Sequence, residues 1–371
     1  MIRVLQSVSN MDRGGIETML MNFYRHVDRE QVQFDFLCNK PDIGDYDEEI
    51  RTMGGNIFVT PGYMNYKSYL SFMTDLFKKH PEYKIIHTHN GSLMLYALES
   101  AKKNNIPIRI AHAHATAVPV GLKNELKKLM KPIIKYVATD YWGCSDAAGE
   151  FYFSKKRWNN AHELIHNAIE VENFTFSESK RAEIRKQYGL SDKFIIGNVG
   201  RLAPQKNQKK LIDVFAVIRK QRPDAHLVII GTGELEANLK RQVAELRLSD
   251  SVTFTGVISN VNEWYSAFDV FAMTSLYEGL PVVAVEAQAA DLPCVLTDTI
   301  TPEVKITENV RFLGLYDTPE KWADCILKMQ QTKRTNRESD LKTAGYDINL
   351  EALRMQNLYL ELYNKINERK K

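Results

Sequence analysis

Short runs of β-branched and other apolar residues alternate with longer amphipathic segments along almost the whole chain. Helix-like stretches, for example 17–26 and 66–79, separate most of these runs. This alternation is typical of parallel α/β sheets, in which helices connect successive strands. The sequence predicts strands near thirteen positions: Val4, Phe34, Ile57, Ile85, Ile108, Tyr141, Leu164, Ile196, Val228, Val252, Val270, Val295 and Phe312.

The alternation is interrupted once, by a polar and charged stretch at 170–190 that reads as a linker with a short helix. At roughly 150 residues per domain, a chain of 371 residues suggests two domains. We therefore predict two doubly wound, Rossmann-like domains, 1–175 and 176–349, facing each other across a cleft. Ligands of such sheets bind beyond the carboxyl ends of the strands.

Composition excludes several classes of protein. The net charge of +3 is too small to indicate nucleic-acid binding. Cys38, Cys144, Cys294 and Cys325 lie far apart with no CxxC pair, which favours buried thiols in a reducing compartment. The first residues read as a strand rather than a signal peptide, and no apolar run approaches the length of a membrane span, so we expect a cytoplasmic protein.

The stretch TSLYEGLPVVAVE at 274–286 is the most informative for function. It carries two carboxylates, Glu278 and Glu286, with Gly279, Leu280 and Pro281 between them. Pro281 suits the first turn of a helix, and the free N–H groups of a helix start attract anions. The pattern suits a ligand with sugar hydroxyls near a phosphate, although a helix cap and a surface glutamate would give the same residues.

A second phosphate motif is GRLAPQKN at 200–207, which follows a predicted strand. Arg201 and Lys206 lie on this strand-to-helix loop, where a guanidinium and an ammonium group are well placed to hold a diphosphate. A solvated basic loop is the alternative. We favour phosphate binding, because the pair follows the carboxyl end of a strand.

Three glycine-containing turns follow other strands. Gly231 and Gly233 precede Glu234, predicted to begin a helix, and this loop could admit a base or ribose, as could the turn that contains Thr255. Gly14 and Gly15 precede the first helix and could let a ligand approach backbone N–H groups from the other domain. Each turn taken singly is explained as well by structure alone.

Histidines occur as two His-x-His pairs at strand ends: His87 with His89, and His112 with His114. Alternate residues of a strand share a face, so each pair could chelate a metal. No cysteine or carboxylate accompanies them in a usual ligand pattern, so we expect substrate hydrogen bonding or proton transfer instead. His166 and Asn167 are further candidates for the cleft.

Two charged segments have simpler interpretations. Asp45 and Asp47 form an Asp-x-Asp pair that could hold a divalent ion, but capping of the following helix explains it better. The segment 122–137 carries Lys123, Lys127, Lys128, Lys131 and Lys135 among apolar residues. It predicts either a membrane-surface helix or a solvated helix, and Pro132 would interrupt both.

Together these segments resemble the retaining glycosyltransferases of family 4, which have the GT-B fold. The matching segments, in family order, are GGIE at 14–17, HAH at 112–114, HNAIEVENF at 166–174, GRLAPQKN at 200–207, GTGE at 231–234 and EGLPVVAVEAQAADLPCV at 278–295. TDTITPEVKI, from 297, resembles the bacterial exopolysaccharide and capsule branch. The segments span nearly the whole chain, and their combination is far more specific than any one alone.

The resemblance implies a role for each matching residue. Arg201 and Lys206 would stabilise the diphosphate of a nucleotide-sugar, Glu286 would hold the ribose hydroxyls, and Glu278 would contact the sugar. The backbone of 279–281 and Gly15 would approach sugar and phosphate, and His114 would lie beside the transferred sugar. The resemblance also implies that no metal or other cofactor is needed, and that the last helix, about 350–371, packs back on the first domain.

One residue departs from the family pattern. Asp291 stands where the family usually has glycine after the second glutamate. Aspartate tolerates a left-handed backbone better than most residues, so we expect it to be accommodated with some strain.

The expected activity is transfer of a sugar from a nucleotide-sugar, with UDP as the expected nucleotide, to a glycan or lipid-linked acceptor. Attack on the same face as the leaving group would give retention, and the departing phosphate would assist deprotonation of the acceptor. A nucleotide-sugar epimerase and a non-catalytic nucleotide-sugar-binding subunit are the alternatives. A dehydrogenase is disfavoured, because no GxGxxG with a downstream acid is present.

Overall fold

The computed structural model describes residues 1–116, 130–160, 162–329 and 333–368. The chain forms two compact units. The first comprises Met1–Ala168 with the C-terminal segment from Ile348, and the second comprises Ile169–Asp347. The boundary between the two units therefore lies a few residues before the one predicted at 175. The charged stretch at 170–190 belongs to the second unit.

The first unit contains a parallel seven-stranded sheet in the order β3-β2-β1-β4-β5-β6-β7. Its strands are β1 (Ile2–Val8), β2 (Val32–Cys38), β3 (Ile57–Val59), β4 (Ile85–Thr88), β5 (Ile108–Ala113), β6 (Asp140–Gly143) and β7 (Glu163–Leu164). Its helices are α1 (Gly15–His26), α2 (Asp47–Thr52), α3 (Tyr66–Lys79), α4 (Met94–Lys103), α5 (Asp146–Phe153), α6 (Lys155–Trp158) and the C-terminal α15 (Ile348–Glu368).

The second unit contains a parallel six-stranded sheet in the order β10-β9-β8-β11-β12-β13. Its strands are β8 (Phe194–Val199), β9 (Ala225–Ile230), β10 (Val252–Gly256), β11 (Val270–Met273), β12 (Cys294–Thr297) and β13 (Val310–Leu313). Its helices are α7 (Val171–Phe174), α8 (Glu178–Gln187), α9 (Gln208–Gln221), α10 (Glu236–Glu245), α11 (Val261–Ala267), α12 (Val282–Ala289), α13 (Pro319–Lys328) and α14 (Glu338–Thr343).

Both sheets reverse their strand order beside the first strand of the unit. In the first sheet β1 pairs with β2 on one side and β4 on the other, and in the second β8 pairs with β9 and β11. Both units are thus doubly wound, and all thirteen predicted strands are confirmed. A crevice forms outside the carboxyl ends of strands at such a reversal, which is where ligands bind in open α/β sheets.

Each sheet is covered by apolar helix faces. In the first unit, Phe34 of β2 lies between Tyr24 of α1 and Tyr359 of α15, with ring centroids 5.3 and 5.9 Å apart respectively. Helix α15 therefore packs within the core of this unit. The other face is covered by Tyr69, Met73 and the residues around them. Among the described residues, no helix combines the length and apolarity needed to cross a bilayer.

The basic segment predicted at 122–137 lies partly outside the described residues, which resume at Met130. Its described part is a 3₁₀ helix over Lys131–Tyr136 with Pro132 in the first turn. The first turn of a helix tolerates a residue without a backbone N–H, so Pro132 fits this position. The Lys131 ammonium lies 3.6 Å from the centre of the Phe151 ring.

Candidate active site

The carboxyl edge of the second sheet brings together the sequence motifs of the C-terminal half. The loop after β8 carries Arg201 and Lys206, the loop after β9 carries Gly231–Glu234, and the segment after β11 carries Glu278. Strands β8 and β11 are neighbours at the strand-order reversal, so their following loops lie side by side. Residues more than seventy positions apart therefore meet at this edge.

The loop after β8 is fastened to the segment after β11 by backbone and side-chain hydrogen bonds. The Leu276 N–H donates to the Gln205 carbonyl at 2.8 Å, and Gln205 Nε2 donates to the Tyr277 carbonyl at 2.9 Å. Asn207 has a left-handed backbone (φ 51°), and its Nδ2 donates to the Thr274 carbonyl at 3.1 Å. These bonds fix the loop before α9 begins.

The same contact pairs Lys206 with Glu278. Lys206 Nζ lies 2.7 Å from Glu278 Oε1, and Gln205 Nε2 donates to Glu278 Oε2 at 3.3 Å. The Glu278 side chain is 8% exposed and that of Lys206 is 21% exposed. A charge-assisted bond between two groups so shielded from water holds both in place. The cation predicted to bind phosphate and the carboxylate predicted to bind sugar are therefore direct neighbours.

Arg201 is held much less firmly. Its guanidinium lies 3.2 Å from Glu234 Oε2, and the two side chains are 73% and 51% exposed. Exposed pairs of this kind contribute at most about 1 kcal/mol. Arg201 is therefore free to reorient toward an incoming anion.

The glycines of the loop after β9 are required by the neighbouring backbone. A Cβ on Gly231 would lie 2.3 Å from the Gly200 carbonyl oxygen, and a Cβ on Gly233 would lie 2.3 Å from that of Leu202. Gly231 also has a positive φ of 133°. The close approach of two chain segments therefore explains both glycines. Glu234 precedes the helix rather than beginning it, since α10 starts at Glu236.

Helix α12 begins one residue later than the sequence predicted. Pro281 is its N-cap residue, with an extended backbone and no side-chain cap bond, and Val282 is the first helical residue. Leu280 is buried, whereas the turn around Gly279 and the Thr255 side chain are partly open. The Thr255 hydroxyl donates to the Gly256 carbonyl at 3.0 Å. The start of α12 thus presents backbone N–H groups beside Glu278.

Glu286 lies in the second turn of α12 and is enclosed. Its Oε2 accepts a hydrogen bond of 2.6 Å from the hydroxyl of Tyr265, a fully buried residue of α11. Burial raises the pKa of Glu286 from 4.5 to about 7 and holds the pKa of the Tyr265 hydroxyl well above its usual value. Burial destabilises a charged carboxylate, so this arrangement costs stability and indicates a functional role.

In the first unit, Gly14 and Gly15 lie at the start of α1. Gly14 is the N-cap residue, and a Cβ there would clash with the Glu17 carboxylate at 2.2 Å. A Cβ on Gly15 would meet no atom of the described residues within 4 Å. At Gly14 only the flexible end of the Glu17 side chain would have to move, and none of the described residues requires a glycine at Gly15. Burial raises the pKa of Glu17, which lies in the first turn.

The four histidines at the ends of β4 and β5 form one stacked cluster. His87 Nε2 lies 3.1 Å from His112 Nδ1, and His89 Nδ1 lies 2.9 Å from His114 Nε2. Burial lowers the pKa of all four, that of His114 to about 3, so they are neutral at physiological pH. Ring nitrogens of His87, His89 and His112 lie within 4.8 Å of one another. The cluster lies at the carboxyl edge of the first sheet, and His114 is its partly exposed member.

Other predicted residues have contacts within the first unit. The His166 N–H donates to Glu351 Oε1 of α15 at 2.9 Å, and Asn167 is buried beside it. Asp47 is the first residue of α2, and no side-chain cap bond is formed there. The predicted capping is therefore wrong in detail. Asp47 instead lies in the first turn with Glu48 and Glu49, where the helix dipole favours acids.

Asp291 adopts the left-handed backbone that the family pattern implies, with φ 49°. Its fully buried carboxylate accepts hydrogen bonds from Arg337 Nε at 2.7 Å, from Asn309 Nδ2 at 2.8 Å and from the Thr335 N–H at 2.7 Å. These bonds offset the backbone strain. Asp291 thereby anchors the segment that precedes α14, which a glycine could not do.

Sequence reasoning missed Tyr265, Gln205 and Asn207. Gln205 and Asn207 lie inside the GRLAPQKN motif, so attention to its uncharged polar residues would have found them. Tyr265 carries no local signal, because its contact with Glu286 depends on how α11 packs against α12.

Comparison with known proteins identifies the family of the chain. The model for glycosyl transferases group 1 matches residues 180–347, and that for glycosyltransferase family 4 matches residues 13–173. The putative glycosyltransferase EpsF of Bacillus subtilis (strain 168) is 34% identical over 370 residues, 96% of each chain. The capsular polysaccharide biosynthesis glycosyltransferase CapH of Staphylococcus aureus is 23% identical over 97% of this chain and 99% of its own.

Solved structures show the same fold. HepE of Anabaena, in complex with UDP-glucose, superposes with a TM-score of 0.74 at 18% identity, covering 100% of this chain and 99% of that one. The two doubly wound units are therefore those of the GT-B fold. From the two matching family models and the similarity to EpsF, we conclude that the chain belongs to glycosyltransferase family 4, the group 1 glycosyltransferases.

Proposed function

We propose that the protein transfers a sugar from a UDP-sugar to a glycan or lipid-linked acceptor, with retention of the anomeric configuration, in the synthesis of a bacterial surface polysaccharide. The observation that carries the proposal is the convergence of Lys206, Glu278 and the start of α12 at one strand-order reversal. CapH, a relative over nearly its whole length, is named for capsular polysaccharide biosynthesis, and the structurally similar HepE binds UDP-glucose. CapH supports a role in polysaccharide synthesis, and HepE supports UDP as the nucleotide.

Charge explains how this edge would promote transfer. Cleavage of the bond between the sugar and the phosphate leaves negative charge on the diphosphate and positive character on the sugar. Lys206, the mobile Arg201 and the N–H groups at the start of α12 would stabilise the diphosphate. Glu278 neutralises Lys206, and the arriving diphosphate would share that cation. The Glu278 carboxylate could then accept hydrogen bonds from sugar hydroxyls.

The enclosed carboxylate of Glu286 would bind the ribose. An ionised carboxylate accepts hydrogen bonds and cannot donate, so it suits a pair of ribose hydroxyls. Tyr265 holds one carboxylate oxygen at 2.6 Å and so fixes its direction. Ribose hydroxyls would donate further hydrogen bonds to this carboxylate.

Retention would follow from attack on the face that the diphosphate leaves. The bond from the anomeric carbon to the phosphate oxygen breaks, and a bond to the acceptor oxygen forms on the same side. The acceptor proton passes to the departing phosphate. Among the described residues, the carboxylates of this edge already have partners, Lys206 for Glu278 and Tyr265 for Glu286, which favours this route over a carboxylate nucleophile.

The test is release of nucleotide from UDP-, GDP- and ADP-sugars, with and without acceptor, followed by NMR of the product anomer. We expect one UDP-sugar to release UDP in the presence of acceptor. The product should have the same anomeric configuration as the donor. Lys206→Ala should lower turnover at least a hundredfold. The matched control is Lys209→Ala, since Lys209 is 73% exposed on the next helix and pairs only weakly with Asp213 at 3.4 Å.

Other outcomes would contradict the proposal. Equal turnover in the Lys206 and Lys209 variants would remove Lys206 from the site. An inverted anomer would refute retention. Interconversion of the donor sugar without release of nucleotide would indicate an epimerase, and binding of a donor without any turnover would indicate a non-catalytic subunit. Association with a membrane surface through 122–137 stays a prediction.

A further inference from the structure

A chain of hydrogen bonds runs from α15 to His114 through the first unit. Tyr359 of α15 lies at one end, and its hydroxyl is 2.6 Å from His87 Nδ1 and 3.2 Å from Gln6 Nε2. Gln6 Oε1 lies 3.0 Å from His89 Nε2, and His89 Nδ1 lies 2.9 Å from His114 Nε2. A branch joins His87 Nε2 to His112 Nδ1 at 3.1 Å.

Each neutral imidazole has one N–H donor and one acceptor nitrogen, so the bonds of such a chain must all point the same way. In the orientation that the structure gives the Gln6 amide, Oε1 faces His89 and can only accept, so His89 Nε2 carries the proton and His89 Nδ1 is an acceptor. His114 Nε2 must then be the donor to His89. The second nitrogen of His114, Nδ1, is left with a lone pair.

The branch obeys the same rule. Gln6 Nε2 donates to the Tyr359 hydroxyl, which donates in turn to His87 Nδ1. His87 Nε2 then donates to His112 Nδ1, and the proton of His112 lies on Nε2, a buried atom without a partner among the described residues. One amide, that of Gln6, therefore determines the proton positions on all four rings.

Hydrogen bonding explains the cluster more fully than a metal would. Three neighbouring ring nitrogens lie within 4.8 Å, as in a metal site, but both nitrogens of His87 and both of His89 already have hydrogen-bond partners. A bound ion would have to displace Tyr359, Gln6 or another histidine. The burial that lowers the pKa of each ring keeps the histidines neutral, as the chain requires.

We propose that Gln6 and Tyr359 are positioning residues that place the proton of His114 on Nε2 and present its Nδ1 as a hydrogen-bond acceptor at the carboxyl edge of the first sheet. An acceptor at this point would bind a hydroxyl of the transferred sugar or of the acceptor. This catalytic consequence rests on the proposed glycosyl transfer, whereas the tautomer of His114 does not.

The direct test is ¹⁵N NMR of the histidine rings in the full-length protein, in which two-bond couplings identify the protonated nitrogen. Loss of one set of signals in His114→Gln assigns that ring. We expect His114 to be an Nε2–H tautomer. Gln6→Met removes the acceptor of His89 Nε2 and should give mixed tautomers at His89 and His114. Gln6→Glu keeps an oxygen at this position and should restore the single tautomer.

The matched control is Ser7→Ala, at the neighbouring buried position of β1, whose hydroxyl has no partner among the described residues. It should leave both tautomers and turnover unchanged. Gln6→Met should lower kcat roughly fivefold to tenfold, the worth of one hydrogen bond, with little change in the KM of the donor. Gln6→Glu should recover most of this loss.

Two results would overturn the proposal. One is an Nδ1–H tautomer of His114 in the unmodified protein, or a tautomer distribution that Gln6→Met leaves unchanged. The other is stoichiometric zinc in the purified protein, or a shift of the His87, His89 and His112 signals on addition of Zn²⁺, either of which would make the cluster a metal site. Absence of turnover with every donor would contradict the proposed glycosyl transfer but would leave the tautomer result intact.

Discussion

Glu286→Gln should stabilise the empty protein at alkaline pH. The carboxyl group is enclosed beside Tyr265, and burial raises its pKa from 4.5 to about 7. The folded state therefore binds the proton more tightly than the unfolded state. The contribution of this group to stability is fully present below pH 4.5 and is lost as the pH rises through 7. A glutamine is neutral throughout and still offers Tyr265 an oxygen.

The size of the effect follows from the shift of the pKa. A shift from 4.5 to about 7 corresponds to about 3.4 kcal/mol at 1.36 kcal/mol per unit once both states are ionised. At pH 8 the wild-type protein should therefore be less stable than the variant by about 3 kcal/mol, and at pH 5 by about 1 kcal/mol. Glu286 keeps some contact with solvent, so these values are upper bounds.

The assay is urea unfolding of both proteins at pH 8 and at pH 5, with Glu245→Gln as the control. Glu245 is an exposed residue of α10, so its replacement removes the same charge without relieving burial. The gain of Glu286→Gln should shrink by about 2 kcal/mol between pH 8 and pH 5. A variant that is no more stable than wild type at pH 8, or whose gain is equal at both pH values, would refute the reasoning. The variant should also bind UDP-sugar more weakly. Weaker binding by a more stable protein would show that the carboxylate of Glu286 serves ligand binding and is not a packing defect.

Three further substitutions test the roles of individual backbone positions. Asp291→Gly relieves the left-handed backbone but removes the buried carboxylate that accepts hydrogen bonds from Asn309 Nδ2, the Thr335 N–H and Arg337, so urea unfolding should show a loss of about 2 kcal/mol; a gain would contradict the anchoring role. Gly231→Ala should lower the melting temperature sharply, because its Cβ would lie 2.3 Å from the Gly200 carbonyl oxygen; an unchanged melting temperature would refute that contact. Gly15→Ala should leave the melting temperature unchanged, since its Cβ meets no described atom within 4 Å, yet lower turnover if this glycine approaches the donor phosphate; unchanged turnover would remove it from the site.

The elements of the fold could be predicted because each is encoded by neighbouring residues. A buried parallel strand needs a short apolar run, and its connecting helix needs an apolar stripe of helical period, so both are visible in a window of a few residues. All thirteen strands were found in this way. Helix starts were less accurate, as at Glu234 and Pro281, because capping depends on a few dihedral angles rather than on a pattern.

The candidate site was predicted as a set of residues but not as a set of contacts. The motifs placed Lys206 after the carboxyl end of a strand and Glu278 before the start of a helix, but they did not join the two at one edge of a sheet. They also did not indicate that Lys206 Nζ and Glu278 Oε1 form a direct ion pair at 2.7 Å. Nor did they show that Gly231 and Gly233 are required by the backbone of the loop after β8.

The sequence by itself determined the number and kind of elements, the α/β class and the residue types available for phosphate and sugar binding. These properties depend on local period and side-chain chemistry. Only the tertiary structure decided that Tyr265 holds Glu286, that hydrogen bonds from Arg337, Asn309 and Thr335 offset the backbone strain of Asp291, and that Gln6 and Tyr359 join the histidines into one chain. Each of these contacts joins residues from separate elements, and their partners are chosen by how the helices pack on the sheets, which no local pattern specifies.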